Sequence, residues 1–318
     1  MSFFKRKEKK PNPKEKKPNP RRPEGFEIAF VNALCSECVF NHPMKWDCEK
    51  YPSKKKEAEL NGIQCEGFSP ADSTYLACLC GAASADKKGT EQCTALMLAA
   101  TAGFTARNEY IFESVAKEVS RWYNFGNYTM DRMVHESDRS VIEAVRRLNS
   151  GMDMILTGKN GMNDDSGYIL PAAFPAAFLA PGTAGELSRV AAEIFNASDD
   201  AANGAKIFGN TIVDMLRGFS YRDALERNAG AFKERILSHG RSENAFDVMG
   251  MVYDAMEGNS FEACMKYDMP LKQVLGAIAG LTFGIKGIPM DTLKSIDAMP
   301  IICTVCGDFE RHLLNTWK

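Results

Sequence analysis

The sequence contains no apolar run of about 20 residues, the length that an α-helix needs to cross a bilayer. Its first residues, Met1–Lys10, include basic side chains with no apolar segment after them, so they do not have the pattern of a secretory leader. These two absences predict a cytoplasmic protein. The ten cysteines are then expected to be reduced thiols or metal ligands rather than disulfides.

Sustained alternation of apolar and polar residues, the pattern of a half-buried strand, is also absent. Apolar residues instead recur at helical spacing, as in Ile111, Val115 and Val119. With only four histidines, the chain offers no recognisable Ser-His-Asp or Cys-His arrangement. The pattern predicts an all-α fold, in which residues 71–318 form one helical domain.

One segment of this domain, Leu271–Gly284, is apolar on nearly all sides. Such a helix is expected to be buried, since it has no polar face to turn toward water. Gly276 and Gly280 lie one helical turn apart, and glycines at this spacing let another backbone approach closely. The segment is therefore predicted to be a central buried helix.

The N-terminal 24 residues are predicted to form a disordered basic arm. Ten Lys and Arg but only two acids lie within residues 1–22, and two Pro-Asn-Pro repeats interrupt regular structure. The preferred interpretation is a solubilising tail, because no aromatic residue is interleaved to stack on bases. The alternative is that residues 5–22 bind an acidic macromolecule, which deletion of residues 1–24 would test.

Residues 25–70 are predicted to form a short, polar module that carries four cysteines, Cys35, Cys38, Cys48 and Cys65. A Cys-x2-Cys pair lets two thiolates reach one ion, and two further cysteines complete a tetrahedral site. A module this small needs added stabilisation, which a bound metal would supply. The prediction is a structural Zn²⁺ site, with an iron–sulfur cluster as the second choice.

Elemental analysis tests this prediction. We expect about one Zn²⁺ per chain in the purified protein, and Cys35→Ser to remove most of it because three thiolates hold the ion less well. The matched control is Cys303→Ser, since the Cys303/Cys306 pair has no evident partner pair and is expected to be packed thiols. Metal content that is unchanged by Cys35→Ser would contradict the prediction.

Several short motifs in the helical domain follow one another in a fixed order. They are Gly81–Gly89 with Asp86, then Thr90-Glu91-Gln92-Cys93, the turn Asp165–Tyr168, the stretch around Asp200, and the glycine helix through Gly280. In this order and spacing, the chain resembles the ADP-ribosylglycohydrolase family. The resemblance implies an ADP-ribosylglycohydrolase-like helical bundle. It also implies a ligand of the ADP-ribose or nucleotide type.

The resemblance further implies that the family's metal ligands are mostly replaced here. Where the family has an Asp-x-Asp-Thr motif, this chain has Leu271-Lys272-Gln273-Val274, and where it has Thr-Asp-Asp-Thr, this chain has Thr90-Glu91-Gln92-Cys93. Two Mg²⁺ ions need several carboxylates to balance their charge. One glutamate, expected to face Lys272, argues against bound Mg²⁺. The sequence therefore predicts a degenerate member that binds a ligand or a macromolecular partner without hydrolysis.

The alternative is an active, divergent hydrolase of ADP-ribosyl N- or O-glycosidic bonds that uses a relocated set of acids. Its remnant catalytic candidates are Asp86 and Glu91. The wider set of ligand-binding candidates is Asp86, Thr90, Glu91, Asp165 and Asp200. For Asp165 and Asp200, a helix-capping role is preferred over catalysis, because both precede helical or apolar segments.

Overall fold

The computed structural model describes residues 74–86, 91–106, 111–134, 138–159 and 165–316, with side chains as far as Leu313. The basic arm, the cysteine module with its predicted Zn²⁺ or iron–sulfur site, and Thr90 lie outside these residues. What the sequence predicts for them stays a prediction.

The described residues form α-helices, two short 3₁₀ helices and no strand; one isolated bridge joins Ser166 and Asn244. This confirms the predicted all-α fold. The α-helices are α1 Thr74–Ala83, α2 Gln92–Thr105, α3 Ile111–Phe125, α4 Arg139–Asn149, α5 Met154–Thr157, α6 Ala173–Leu179, α7 Ala184–Glu193, α8 Asp199–Leu216, α9 Tyr221–Asn228, α10 Lys233–Leu237, α11 Ala245–Ala255, α12 Phe261–Met265, α13 Lys272–Gly287, α14 Met290–Lys294 and α15 Met299–Thr316; the 3₁₀ helices are Gly167–Ala172 and Gly230–Phe232.

Several of these helices are preceded by a polar residue whose side chain accepts a hydrogen bond from a backbone N–H of the first turn. Asp138 caps α4 and Ser198 caps α8 in this way. Side-chain periodicity then decides which face is buried: Val115, Val119 and Trp122 of α3 are all buried, as the spacing predicts. Local capping and one apolar face per helix together account for most of the bundle.

Helices α1 and α13 pack closely against each other, and glycines make this close approach possible. A Cβ placed on Gly276 would lie 2.1 Å from the carbonyl oxygen of Gly81, and one placed on Gly280 would lie 2.1 Å from that of Ala77. Only glycine, which has no Cβ, fits at such distances. The prediction that these glycines admit another backbone is therefore confirmed.

The bounds of this central helix differ slightly from those predicted. Leu271 precedes α13 in the left-handed conformation, with φ 51°, and Gly284 interrupts the helix with φ 68°. Burial is continuous from Gln273 to Gly280 and weakens afterwards. A non-glycine residue in the left-handed conformation, which is energetically unfavourable, therefore immediately precedes α13.

Helix α15 packs the thiols of Cys303 and Cys306 into the core, as predicted for this pair. Burial raises the pKa of Cys306 well above its ordinary value, so this thiol stays protonated. No helix within the described ranges is both long and apolar enough to span a membrane.

Candidate functional site

Four side chains from three segments meet where α1 ends and α2 and α13 begin. The Nε2 group of Gln273, in the first turn of α13, donates hydrogen bonds to Glu91 Oε2 at 2.5 Å and to Asp86 Oδ1 at 3.3 Å. Thr94, in the first turn of α2, donates from Oγ1 to the same Asp86 oxygen at 3.1 Å. The amide of Gln273 therefore bridges two carboxyl groups.

The environment of Asp86 favours its neutral form. Burial, followed by the negative charge of Glu91, raises its pKa from 3.8 to about 8, although hydrogen bonds from Thr94, Gln273 and the Glu91 backbone oppose this rise. Its other oxygen, Oδ2, is buried and has no hydrogen-bond partner among the described residues. At neutral pH, Asp86 is thus mainly a protonated acid beside Glu91.

A cavity of about 290 Å³ opens beside this cluster. This volume is just below the usual range for ligand pockets, about 300–1,000 Å³. Glu91 and Gln273 line it, whereas Asp86 is not one of its lining residues. The described lining residues are Ala85, Glu91, Gln92, Cys93, Tyr168, Glu243, Asp268, Met269, Pro270, Leu271, Lys272 and Gln273.

Gln92 and Cys93 form the part of the cavity wall that α2 contributes. Gln92 is 1% exposed, and its Oε1 accepts the backbone N–H of Asp138, which anchors the side chain. Because a backbone N–H can only donate, the Gln92 atom that contacts the Asp138 N–H must be the amide oxygen Oε1. The amide nitrogen Nε2 therefore takes no part in this hydrogen bond. Burial, and then the charge of Asp86, raises the pKa of Cys93 well above its ordinary value, which keeps this thiol neutral.

The candidate residues predicted from sequence fall into two groups in the structure. Asp86 and Glu91 lie together at the cluster, whereas Asp165 and Asp200 pair with each other elsewhere. The carboxyl groups of Asp165 and Asp200 share a hydrogen bond near Ser198, and Asp200 forms an ion pair with Arg235. Burial, with the charge of Asp200, raises the pKa of Asp165. Neither acid lines the cavity.

The capping role expected of these two acids is wrong in detail. Ser198 is the N-cap of α8, and Asp200 lies within its first turn, where a negative charge is favourable next to the helix dipole. Ser166, not Asp165, caps the 3₁₀ helix that follows. Serines supply both caps, Ser166 directly after Asp165 and Ser198 two residues before Asp200, so the acids remain available for each other and for Arg235.

Sequence reasoning treated Gln273 as a lost metal ligand and expected Glu91 to face Lys272. The structure instead places Gln273 against Glu91 and makes it the centre of the cluster. Thr94 and Gln92 were likewise not singled out. Their place in the sequence could have identified Gln92, Thr94 and Gln273, because each lies in the first turn of a helix that begins at the cluster.

The donor set of this cluster does not fit a pair of divalent cations. An amide N–H₂ group, which cannot ligate a cation, occupies the space between the two carboxyl groups. Within the described part of the chain, no three His, Cys, Asp or Glu side chains form a group that could hold a metal ion.

No protein-family model matches the chain, and no curated protein sequence does. Among solved structures, the chain is similar to an "ADP-ribosylglycohydrolase-related protein complex", with a TM-score of 0.60 and 17% sequence identity. The match covers 75% of this chain and 97% of that one. The predicted ADP-ribosylglycohydrolase-like fold is therefore confirmed.

Proposed function

We propose that this chain uses its ADP-ribosylglycohydrolase-like fold to bind a ligand of the ADP-ribose type without hydrolysing it and without a divalent metal. The observation that carries the proposal is the amide of Gln273, which donates to both Asp86 and Glu91. This amide occupies the place between the two carboxyl groups that a bound cation would need.

The loss of a metal pair would remove the chemistry of hydrolysis but not the pocket. Bound metal ions polarise a substrate oxygen and generate an attacking hydroxide at neutral pH. Glu91 and Gln273 retain hydrogen-bonding groups that a sugar hydroxyl can use. A site with these groups can hold a ribosyl ligand while leaving its glycosidic bond intact.

Restoring an acid at position 273 tests the proposal. We expect Gln273→Glu to lower the melting temperature in a chelating buffer by about 5 °C or more, because three carboxyl groups would then meet in a buried place. Mg²⁺ should restore much of this loss in the variant, whereas the native protein should show no Mg²⁺-dependent shift.

The matched control is Gln273→Met, which removes the amide without adding charge. Its melting temperature should fall as well, but Mg²⁺ should leave it unchanged. In a parallel measurement in the chelating buffer, ADP-ribose should raise the melting temperature of the native protein, and no product should be released. Mg²⁺-dependent turnover that Glu91→Ala abolishes would overturn the proposal.

A second candidate function is metal-independent hydrolysis of an ADP-ribosyl glycosidic bond. It is favoured by one observation: a carboxyl group with a pKa raised to about 8 lies next to Glu91, as a general acid and its partner would. Against it, Asp86 does not line the cavity, and a general acid must reach the leaving-group oxygen. Turnover in a chelating buffer that Asp86→Asn abolishes would establish it.

A further inference from the structure

Exposed apolar side chains are concentrated near the ends of helices α3 and α4. Within the described residues, nine large apolar side chains are exposed, and six of these lie between positions 125 and 156. Apolar residues that are exposed singly need no explanation, whereas a contiguous group marks an interaction site. We call the six residues the apolar patch; they are Phe125, Met130, Met133, Met152, Ile155 and Leu156.

The two segments that carry this patch are neighbours in space. The side chains of Asn124 and Asn149 donate hydrogen bonds to each other, at 3.3 and 3.0 Å, so the last turns of α3 and α4 meet. A Cβ placed on Gly126 would lie 2.0 Å from the carbonyl carbon of Arg132, so the turn after α3 folds back on itself. The patch is therefore one surface, formed by this turn and by the residues that follow α4.

Ordered contacts hold the patch in its exposed position. Arg147 of α4 donates to the carbonyl oxygen of Thr157 at the end of α5, at 2.8 Å, and the hydroxyl of Tyr128 donates to Glu118 Oε2 at 2.6 Å. Tyr128 and Arg132 both adopt the left-handed conformation, with φ 70° and 58°. This conformation is unfavourable for residues with a side chain, and it persists mainly where the surrounding structure enforces it, often at functional sites.

The net charge around the patch is opposite in sign to that of the chain beyond the basic arm. The whole chain has a net charge of −2 and residues 1–22 contribute +8, so residues 23–318 carry −10. The patch and its flanking residues, 121–134 and 146–159, instead contain five basic and two acidic residues, a net charge of +3.

The basic side chains next to the patch are free to meet an external anion. Arg132, Arg146 and Lys159 are exposed, and no described residue forms an ion pair with them. The two acids of these segments have other roles, because the carboxyl groups of Asp131 and Asp153 accept backbone N–H groups two residues further on. The patch therefore combines exposed apolar groups with uncompensated positive charge.

This combination fits an anionic lipid surface better than a second copy of the chain. In a symmetric dimer, the same patch would meet itself, and its uncompensated cations would repel one another. A membrane interface accepts apolar side chains at the level of the headgroups, and anionic headgroups attract Lys and Arg. The basic arm, residues 5–22, supplies a second attraction to the same surface, and stable attachment usually needs two such signals.

We propose that the apolar patch attaches the protein to an anionic membrane surface, with Phe125, Ile155 and Leu156 inserted among the headgroups and Arg132 and Arg146 paired with lipid phosphates. Attachment of this kind leaves every helix outside the hydrocarbon core. None of the six patch residues lines the cavity of the candidate site, so this inference does not depend on the proposed function.

Flotation of the full chain with lipid vesicles tests the inference. We expect the protein to bind vesicles made of equal parts of phosphatidylcholine and phosphatidylserine, and to bind phosphatidylcholine alone much less. Higher salt should weaken the binding because it screens the attraction between the basic residues and the lipid. The variant Phe125→Ser with Ile155→Ser should bind the anionic vesicles about tenfold less, or weaker still, because two large apolar groups are no longer transferred from water.

The matched control is Leu237→Ser with Met290→Ser, which also removes two exposed apolar side chains but outside the patch. It should bind the vesicles as the native protein does. Phe125 and Ile155 are 66% and 67% exposed, so the patch variant should fold, and its melting temperature should stay close to the native value.

A tryptophan at position 155 distinguishes insertion of the patch from adsorption of the basic arm alone. On anionic vesicles, the fluorescence of Ile155→Trp should shift to shorter wavelength by more than that of the native protein, because the indole leaves water. Lipids brominated in their acyl chains should quench it. If the arm alone held the protein on the membrane, neither change would occur.

Three outcomes would overturn the inference. The native chain does not float with phosphatidylserine vesicles, or the patch variant binds them as well as the control does. In the third outcome, the native protein is a dimer that the patch variant dissociates and does not float, which would identify a second copy as the occupant. Binding of ADP-ribose, measured by thermal shift in the same variants, reports separately on the proposed function.

Discussion

Replacing Asp86 with asparagine should stabilise the protein in alkaline buffer and flatten the dependence of its stability on pH. The native acid has a pKa of about 8 in the folded state, against 3.8 ordinarily. Between these values the folded state holds a proton that the unfolded state has released. The free energy of unfolding therefore falls as pH rises from about 4 to about 8, and this loss is complete above the folded pKa.

The expected size of the effect is large for one side chain. A shift of this extent corresponds to about 6 kcal/mol at most, and relaxation around the charged form reduces it, so we expect a loss of about 2–5 kcal/mol. Asparagine matches the neutral acid in shape and keeps an oxygen that can accept from Thr94 and Gln273. The variant should therefore avoid this loss.

Urea unfolding across this pH range measures the difference directly. The matched control is Asp297→Asn at an exposed position, which should leave the pH dependence of the native protein unchanged. An Asp86→Asn variant whose unfolding free energy followed the native slope would show that Asp86 does not carry this proton. A stabilising change inside a site would also agree with the usual conflict between stability and function.

Gly280→Ala should destabilise the protein by about 3 kcal/mol or more, at the upper end of what overpacking costs. The added Cβ would lie 2.1 Å from the carbonyl oxygen of Ala77 and 2.8 Å from its carbonyl carbon. Both are backbone atoms, which cannot turn aside as a flexible side chain can. Helices α1 and α13 would have to separate.

This separation should also reach the site, because α1 leads to Asp86 and α13 carries Gln273. We expect Gly280→Ala to weaken ligand binding as well as to lower the midpoint of urea unfolding. The control is Gly182→Ala, where an added Cβ meets no described atom within 4 Å and the residue is exposed. If both variants unfolded at the native urea concentration, the close packing of α1 on α13 would be refuted.

The sequence by itself determined the class of the fold and much of its core. Helical periodicity places Val115, Val119 and Trp122 inward, because side-chain burial follows the helix repeat wherever one face is apolar. The paired glycines of α13 predicted a close backbone approach for an equally local reason. The positions of the candidate acids Asp86 and Glu91 could be predicted as well, because the resemblance of their motifs is local.

Only the tertiary structure decided what these acids face. Gln273 is 182 residues beyond Glu91, and a change from acid to amide at that position looked like a lost ligand. The approach of α13 to α1 turns the same amide into a hydrogen-bond donor for two carboxyl groups. Likewise, the sequence predicts helix caps at Asp165 and Asp200, whereas in the structure Ser166 and Ser198 are the caps and the two acids contact each other. Hydrogen bonds between distant segments depend on helix packing, which no local pattern encodes.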